Sequence, residues 1–331
     1  MLSIRKSKRV ANIVIDDYVI RVAETYGPQL THIRKLKERP IPSGLIEQGK
    51  IVDDLQFYHF MKQLVREWKL KHLGVRFYAP ESLVIMRNVE YPSRLQHQEV
   101  MDYFAFEIGE SIHLPFDQPV FDIHPLPGTE TNTGKQKAVL FAAPEEEITK
   151  FTHLFEDVSL NPKAVDVRPL GVYRFFHYLD HSKKGETYLF FELNLLSVNI
   201  SIFTDDQMEF TRFQPLELNP NQISYSYQND EMFEWTFAGD QTIVKQLLTD
   251  QMNELDRIMD FYRYSLHKGE KGVTQIIVTG DHPLTERFKQ KVEEQYGLPV
   301  TLLKGYLSPL KEEKADMRFI PALGLALKGG A

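Results

Sequence analysis

His177 and His181 stand one helical turn apart with Asp180 between them. On a helix that spacing sets two imidazoles on one face, as some metal sites do. No other ligand motif accompanies the pair, and the rest of the eleven histidines show no metal spacing, so the expectation is a solvated helix end and no metal is assigned. Glu145-Glu146-Glu147 follows Pro144 and reads as the acid-rich first turn of a helix, where carboxylates offset the dipole. Glu107 is expected as half of a surface ion pair. Cysteine is absent, which removes disulfides, thiolate zinc sites, iron–sulfur clusters and thiol nucleophiles. Neither G-x-S-x-G nor the phosphate-loop pattern G-x-x-x-x-G-K-S/T occurs. No residue is therefore assigned to catalysis, and the chain is expected not to be an enzyme. The 22 Phe and 15 Tyr gather at Phe175-Phe176-His177-Tyr178 and Tyr188 to Phe191, a density that belongs to a core or, in part, to a peptide-binding surface.

Whatever these residues do, a large protein must position them. The 331 residues suggest two domains or one domain of two halves, and 42% hydrophobic residues can build its core without staples. A net charge of −7 argues against a nucleic-acid partner, whose footprint is a basic excess. No apolar run reaches the roughly 18 residues that span a bilayer. Arg5, Lys6, Lys8 and Arg9 precede a short apolar run, too short for a signal peptide, and read as a solvated tail. The expected location is cytoplasmic.

The pattern of apolar residues shows an internal duplication. Val10–Ile15, Tyr18–Ala23 and Leu30–Leu36 read as antiparallel strands, with Asp16-Asp17 and Tyr26-Gly27-Pro28 at the turns. A helix capped by Asp53 runs to Lys69, and a strand follows at Gly74–Tyr78. The same order returns with strands at Thr187–Leu193, Val198–Phe203 and Met208–Phe213, a helix from about Thr242 to Ser265 and a strand at Gln275–Thr279. Between the copies, strand Leu83–Val89, helix Arg94–Ile112, strands Val120–Leu126 and Lys137–Ala142, helix Glu145–Asp157 and strand Ala164–Val167 follow the β-α-β-β-α-β order of a ferredoxin-like unit. The loop at 127–134 is its expected hairpin tip. The expected parts are a first half at 1–82 and 169–185, an inserted subdomain at 83–168, and a second half at 186–331. The second half carries only a reduced, polar insertion at 214–240, with Asn219, Pro220, Asn221 and Asn229.

A duplicated unit of three strands, helix and strand resembles the actin-like ATPase superfamily, an α/β fold of RNase H-like halves. The ferredoxin-like insert resembles its FtsA and PilM branch. Pro42-Ser43-Gly44-Leu45-Ile46 with Gly49-Lys50-Ile51-Val52-Asp53 resembles the PilM-type lead into the first helix. Ile85 to Pro92, Glu107 with Ile112-His113-Leu114-Pro115-Phe116, and Phe121-Asp122 resemble its insert. Phe210-Thr211-Arg212, Glu254 with Arg257, Ile276 to Gly280, and Pro321 to Ala326 fit later positions.

The resemblance implies a nucleotide cleft and also implies that it is damaged. Superfamily members hold ATP between two hairpins led by Asp-x-Gly and cradle the adenosine on a Gly-Gly turn. Val14 and Asp16 fall at the first Asp and Gly, Glu192 and Asn194 at the second pair, and Asp281 follows Gly280 at the turn. An anion at Asp16 would repel phosphate. No cofactor is expected, Mg-ATP being required only on the competing reading of a nucleotide-switched filament, an FtsA-like division protein or a small-molecule kinase. The branch implies a scaffold of a type IV pilus, competence or secretion machine, peripheral at the inner face of the cell membrane. It would bind the cytoplasmic N-terminal tail of a single-pass PilN-type partner, with pilus motor or platform proteins as further partners. The chain stops at Lys328-Gly329-Gly330-Ala331, where an FtsA-like protein would carry an amphipathic anchor. The groove between first subdomain and insert is expected near Arg76, Tyr78, Arg87, Tyr91, Tyr103, Phe104 and Glu107, with strand edges able to receive the peptide.

Overall fold

The computed structural model describes residues 9–27, 30, 33–126, 128–218, 222–227, 232–308 and 311–329. Arg5, Lys6 and Lys8, and Asn219, Pro220, Asn221 and Asn229, lie outside them. The first half opens with β1 (Arg9–Asp16), β2 (Val19–Tyr26) and β3 (Ile33–Pro40), then a two-rung hairpin of β4 (Ile46–Glu47) and β5 (Lys50–Ile51). Helix α1 (Asp54–Glu67) follows, with Asp53 accepting from the Gln56 amide at 2.9 Å, and leads into β6 (Gly74–Tyr78). The interposed segment holds β7 (Ile85–Pro92), α2 (His97–Glu110), β8 (Pro119–Pro125) and β9 (Lys135–Pro144). Helix α3 (Glu145–Asp157), β10 (Asn161–Asp166) and α4 (Arg168–Tyr178) complete the half.

The second half repeats the plan with β11 (Thr187–Leu193), β12 (Ser197–Thr204) and β13 (Gln207–Pro215). A hairpin of β14 (Ile223–Tyr227) and β15 (Phe233–Phe237) fills the reduced insertion. Then come α5 (Gln241–Asp260), which widens into a π-turn at Phe261–Leu266, β16 (Gln275–Thr279), α6 (Thr285–Gln295) and β17 (Val300–Leu302). The small hairpin of β18 (Gly305–Ser308) and β19 (Lys311–Ala315) precedes α7 (Ile320–Ala326). The sheets run β10-β6-β1-β2-β3 and β17-β16-β11-β12-β13, so the two halves have one strand order. This duplicated actin-like arrangement is the expected one.

The inserted unit differs from the six-element expectation. Its sheet has three strands, in the order β7-β9-β8, and α3 and β10 belong to the first half. β10 pairs in parallel with β6, Ala164 against Arg76 and Asp166 against Tyr78. Phe151 and Phe155 of α3 pack in the first-half core on Phe77, the Phe155 ring at 5.0 Å. The reason lies in the repeat itself. In the second half α6 and β17 follow β16 directly, and α3 and β10 are their counterparts, displaced along the chain by the insert. The inserted unit is thus β-α-β-β, with its own core around Tyr91, Phe104, Ile123 and Leu140.

Helices α4 and α7 lie between the two sheets and close the central core. They cross at glycines: a Cβ on Gly324 would come within 1.9 Å of the Gly171 carbonyl oxygen, and one on Gly171 within 1.7 Å of the Tyr78 hydroxyl. Tyr78 donates to the Pro321 carbonyl at 2.8 Å, Arg174 to Gly324 at 2.8 Å and Arg76 to Ala326 at 3.0 Å, which satisfies carbonyls of the short helix α7. Gly324→Ala is therefore expected to lower stability by about 2–3 kcal/mol through overpacking. Gly297→Ala, with open space around the site, should stay within about 0.5 kcal/mol of wild type in the same urea titration.

Candidate functional site

The positions that align with a nucleotide cleft are brought together at the ends of β1 and β11, where the two halves face each other. What they form is a buried ion network. Arg168, the first residue of α4, reaches Asp16 at 2.6 Å, Glu81 at 3.6 Å and the Asn194 side-chain oxygen at 3.4 Å, and it is bonded to Glu192. Arg21 on β2 reaches Asp281 at 2.6 Å, Glu38 at 3.0 Å and Asp16 at 3.9 Å. Glu38 continues the chain to Arg318 at 2.7 Å. Arg21 and Arg168 are only 2% and 3% exposed. Asp16, Arg21, Glu38, Glu81 and Arg168 come from the first half, and Glu192, Asn194, Asp281 and Arg318 from the second.

Each altered position has a place in this network or beside it. Val14 is packed in the central core. Asp281 accepts from the Tyr18 hydroxyl at 2.7 Å and the Leu195 amide at 3.0 Å. Gly280 is kept because its φ is +115° and a Cβ there would strike the Leu193 carbonyl oxygen at 2.0 Å. The neighbouring Asp17 accepts the Gln48 and Gly49 amides at 2.7 and 2.8 Å, which ties the first hairpin to the β4–β5 turn. These residues do not fit a magnesium nucleotide. The cavity beside Asp16, Glu81 and Arg168 measures about 60 Å³, far below the roughly 300 Å³ at which small-molecule pockets begin. Carboxylates face it, and a guanidinium occupies the charge-neutralising position.

Five carboxylates (Asp16, Glu38, Glu81, Glu192 and Asp281) share three guanidiniums, so the network holds excess acid. Burial pushes Glu81 up to about 8 against the pull of Arg168, and burial likewise raises Glu192. Asp281 is lowered, since Arg21 and the Tyr18 hydroxyl outweigh its desolvation. His282, buried beside it, is pushed down to about 4 by desolvation.

A much larger space opens elsewhere. A cavity of about 550 Å³ lies between the insert and both halves. The insert sheet lines it with the face turned away from α2, through Val120, Asp122 and His124 of β8 and Val139 and Phe141 of β9. The first half adds Ile148, Val165, Leu170, Tyr173 and Arg174. Phe203, Asp206, Gln207 and Met208 close it from the β12–β13 turn of the second half. His124 and Gln207 touch across its mouth at 3.2 Å.

The residues expected to bind peptide do not converge on it. Arg76 and Tyr78 hold α7 from β6. Tyr91 and Phe104 face each other in the insert's core, with ring centroids 6.1 Å apart. Tyr103 stacks edge-on with Phe104, Glu107 is bonded to Ser111 one turn on, and Arg87 is exposed on β7. None of the seven lines the cavity. The cavity lies on the face of the insert sheet opposite to Tyr91 and Phe104. The cause is the aromatic face of α2, which is used to build the insert's own core. Of the other motifs, His177 ends α4 with its Nδ1 2.7 Å from the Ser182 hydroxyl, while a left-handed Asp180 carries His181 off the helix. Glu145 opens α3 as expected, though Glu147 is buried between Lys50 and Lys150. Sequence reasoning missed Arg21, Glu38, Glu81, Arg168 and Arg318. The one available signal was that so many acids at a cleft require arginines to match.

Two sheets of one strand order around a shared cleft define an actin-like α/β protein. Within that class the chain belongs to the type IV pilus assembly protein PilM family, whose profile matches residues 18–329, and a role in type IV pilus assembly goes with that membership. Comparison with curated proteins finds no match. Among solved structures, one described as a PilM–PilN type IV pilus biogenesis complex has a TM-score of 0.74 at 16% identity, covering 98% of this chain and 99% of that one. A Bacteroides thetaiotaomicron protein with an actin-like ATPase fold has a TM-score of 0.48 at 9% identity, covering 92% and 94%. The cytoplasmic domain of EpsL from the Vibrio cholerae type II secretion system has a TM-score of 0.47 at 8% identity, covering 97% and 95%. Among the described residues, no helix is long and apolar enough to cross a membrane.

The ion network predicts an unusual pH dependence. Glu81 holds its proton more tightly folded than unfolded, so its contribution is full below about 4.5 and is lost as pH rises through about 8. Glu192 acts in the same direction. His282 acts oppositely between about 4 and 6.5, because the folded state sheds its proton first. The Glu81 and His282 effects offset each other up to about pH 6.5. Stability should therefore decline between pH 6.5 and 8, and Glu81→Gln, which keeps an acceptor for Asn199, should flatten that decline. Urea midpoints at pH 6.5 and 8.5 for both proteins check this.

Proposed function

We propose that this chain is a non-catalytic scaffold of a type IV pilus, competence or related pseudopilus machine, and that its 550 Å³ cavity receives the cytoplasmic tail of a single-pass, PilN-like membrane partner. The observation that carries this reading is the cavity itself. Its size falls in the roughly 300–1,000 Å³ range of ligand pockets, and its lining joins apolar side chains such as Phe141, Leu170, Phe203 and Met208 to polar ones such as Asp122, Asp166, Arg174 and Asp206. The cleft where a nucleotide would lie is filled by the protein's own side chains, so Mg-ATP has no part in this reading. Family membership supports the assembly role, and the PilM–PilN description of the structural relative supports a partner of that kind. Capture of a membrane-anchored tail places the chain at the inner face of the cell membrane. Pilus motor or platform proteins are the further partners on this reading.

The test uses a synthetic peptide of the PilN-like partner's cytoplasmic segment, followed by fluorescence anisotropy. Phe141→Ala removes an apolar wall from the body of the cavity and should weaken binding by tenfold or more, an effect of hot-spot size. Arg87→Ala and Tyr103→Ala, which lie off the cavity, should leave affinity within twofold. Calorimetry with Mg-ATP should give no binding at millimolar nucleotide. Tail binding indifferent to Phe141→Ala, or micromolar binding of Mg-ATP, would overturn the reading. Deletion of 83–168 is not a usable substitute, because α3 and β10 of the first half would leave with the insert.

A further inference from the structure

The two sheet edges that border the cavity offer few amides to a further strand. In β8 the ladder bonds that run on from either end, the Leu126 amide to Lys137 at 2.9 Å and the Glu145 amide to Gln118 at 2.8 Å, set the even-numbered residues against β9. Pro119, Phe121, Ile123 and Pro125 therefore face the free edge. Two of them have no amide hydrogen, and the Ile123 amide is taken by the Asp122 carboxylate at 2.9 Å. β10 is sealed in a similar manner: it carries Pro162, and the Val167 amide beyond its end is taken by Asp166 at 3.0 Å. Prolines and self-capping carboxylates are what natural edges use to refuse a further strand. A peptide in this cavity is recognised by its side chains.

The charges around the cavity are unequal. At the end formed by β10 and α7, Asp166 is matched by Arg174 at 2.9 Å and Lys328 at 3.1 Å. At the end formed by β8 and the β12–β13 turn, the carboxylates of Asp122 and Asp206 are exposed. Asp206 accepts from the Tyr173 hydroxyl at 2.7 Å and lies 3.4 Å from His177; among the described residues no Lys or Arg pairs with either carboxylate. Asp122 stands two residues before His124 and Asp206 one residue before Gln207, so both lie beside the His124–Gln207 contact at the mouth. Between the two ends the lining is apolar, with Phe141, Leu170, Phe203 and Met208.

Resting on the reading of the cavity as a tail-binding site, we propose that its occupant is an apolar peptide segment carrying one cationic group that seats between Asp122 and Asp206. Apolar side chains fill the body and supply the affinity. The cation supplies orientation and discrimination against acidic segments, as complementary charge at a rim does. The cation has two possible sources, a Lys or Arg side chain or the free amino terminus of the tail.

The PilN-like tail peptide is compared in four forms: unmodified, N-acetylated, with each Lys and Arg replaced by Gln, and with both changes. Each is titrated by anisotropy at 50 and 300 mM salt against wild type, Asp122→Asn and the double variant Asp122→Asn/Asp206→Asn, with circular dichroism confirming the fold. The expected result is at least tenfold weaker binding of the unmodified peptide to the double variant at 50 mM salt, with a reduced salt dependence. Wild type should lose the same factor towards the peptide without cations, and the double variant should lose no more. Whichever single change reproduces the loss identifies the source of the cation. If wild type binds the tail and the double variant binds it equally, the charge assignment falls and the cavity reading stands. If wild type does not bind the tail at all, both fall.

Discussion

One guanidinium holds the two halves together. Arg168 touches carboxylates from the first half, Asp16 and Glu81, and from the second half, Glu192. Arg21 repeats the arrangement across the cleft, between Glu38 and Asp281. Removing one member of a buried pair strands the other and typically costs about 3–5 kcal/mol, so such a network is kept or lost as a unit. Desolvation works against it, and here that shows directly in the raised Glu81 and Glu192. The cleft is therefore a joint whose shape is set by fixed charges inside the protein.

The joint and the large cavity share a helix. Arg168 begins α4, Pro169 follows where a missing amide costs nothing, and Leu170, Tyr173, Arg174 and His177 line the cavity further along. Gly171 lets α7 close against the same helix, and Arg174 serves both sides, bonded to Gly324 of α7 and to Asp166 at the cavity. Few side chains in α4 are free of one duty or another, which explains its short, nearly fully buried sequence.

Much of the fold could be read from the chain because its rules are local. The order of the strand triplets, the Asp53 cap and the strand Gly74–Tyr78 stand where periodicity and turn residues put them, while the third strand, expected at Leu30–Leu36, is Ile33–Pro40. The insert boundary could not be read this way. Whether β10 joins the insert or the first sheet depends on pairing with β6, more than eighty residues earlier, and nothing in Ala164–Val165–Asp166 states it. The repeat held the answer, since α6 and β17 have no other counterparts in the first half. The altered positions at 14, 16, 192, 194 and 281, beside the retained Gly280, were visible as residue types that differ from a nucleotide site's. Their arginine partners were not, because Asp16 meets Arg168 and Arg21 meets Asp281 only through the tertiary fold. The residues read as peptide-binding do not gather at the cavity, for a related reason. An aromatic stripe such as Tyr103-Phe104 does not say whether it faces a partner or its own sheet, and here the small insert needed it for a core.

The cavity draws walls from three parts of the chain: the insert sheet, α4 with β10, and the β12–β13 turn. A space of that kind keeps its shape only if the second half stays at a fixed angle to the first, because rotation about the cleft would carry Phe203 and Met208 away from Phe141 and break the His124–Gln207 contact. Ordinary interfaces between domains permit such motion unless they are large and apolar. Here the interface is apolar through α4 and α7 and ionic through Arg168 and Arg21. The residues that fill the cleft are thus the same residues that join the two halves forming the walls of the cavity. Val14 packs the core below them, Asp16 and Glu192 grip α4, and Asp281 fixes the first hairpin through Tyr18. Restoring Gly at position 16 alone would leave Arg168 short of its nearest first-half carboxylate. A single helix, α4, begins in the cleft and ends in the cavity.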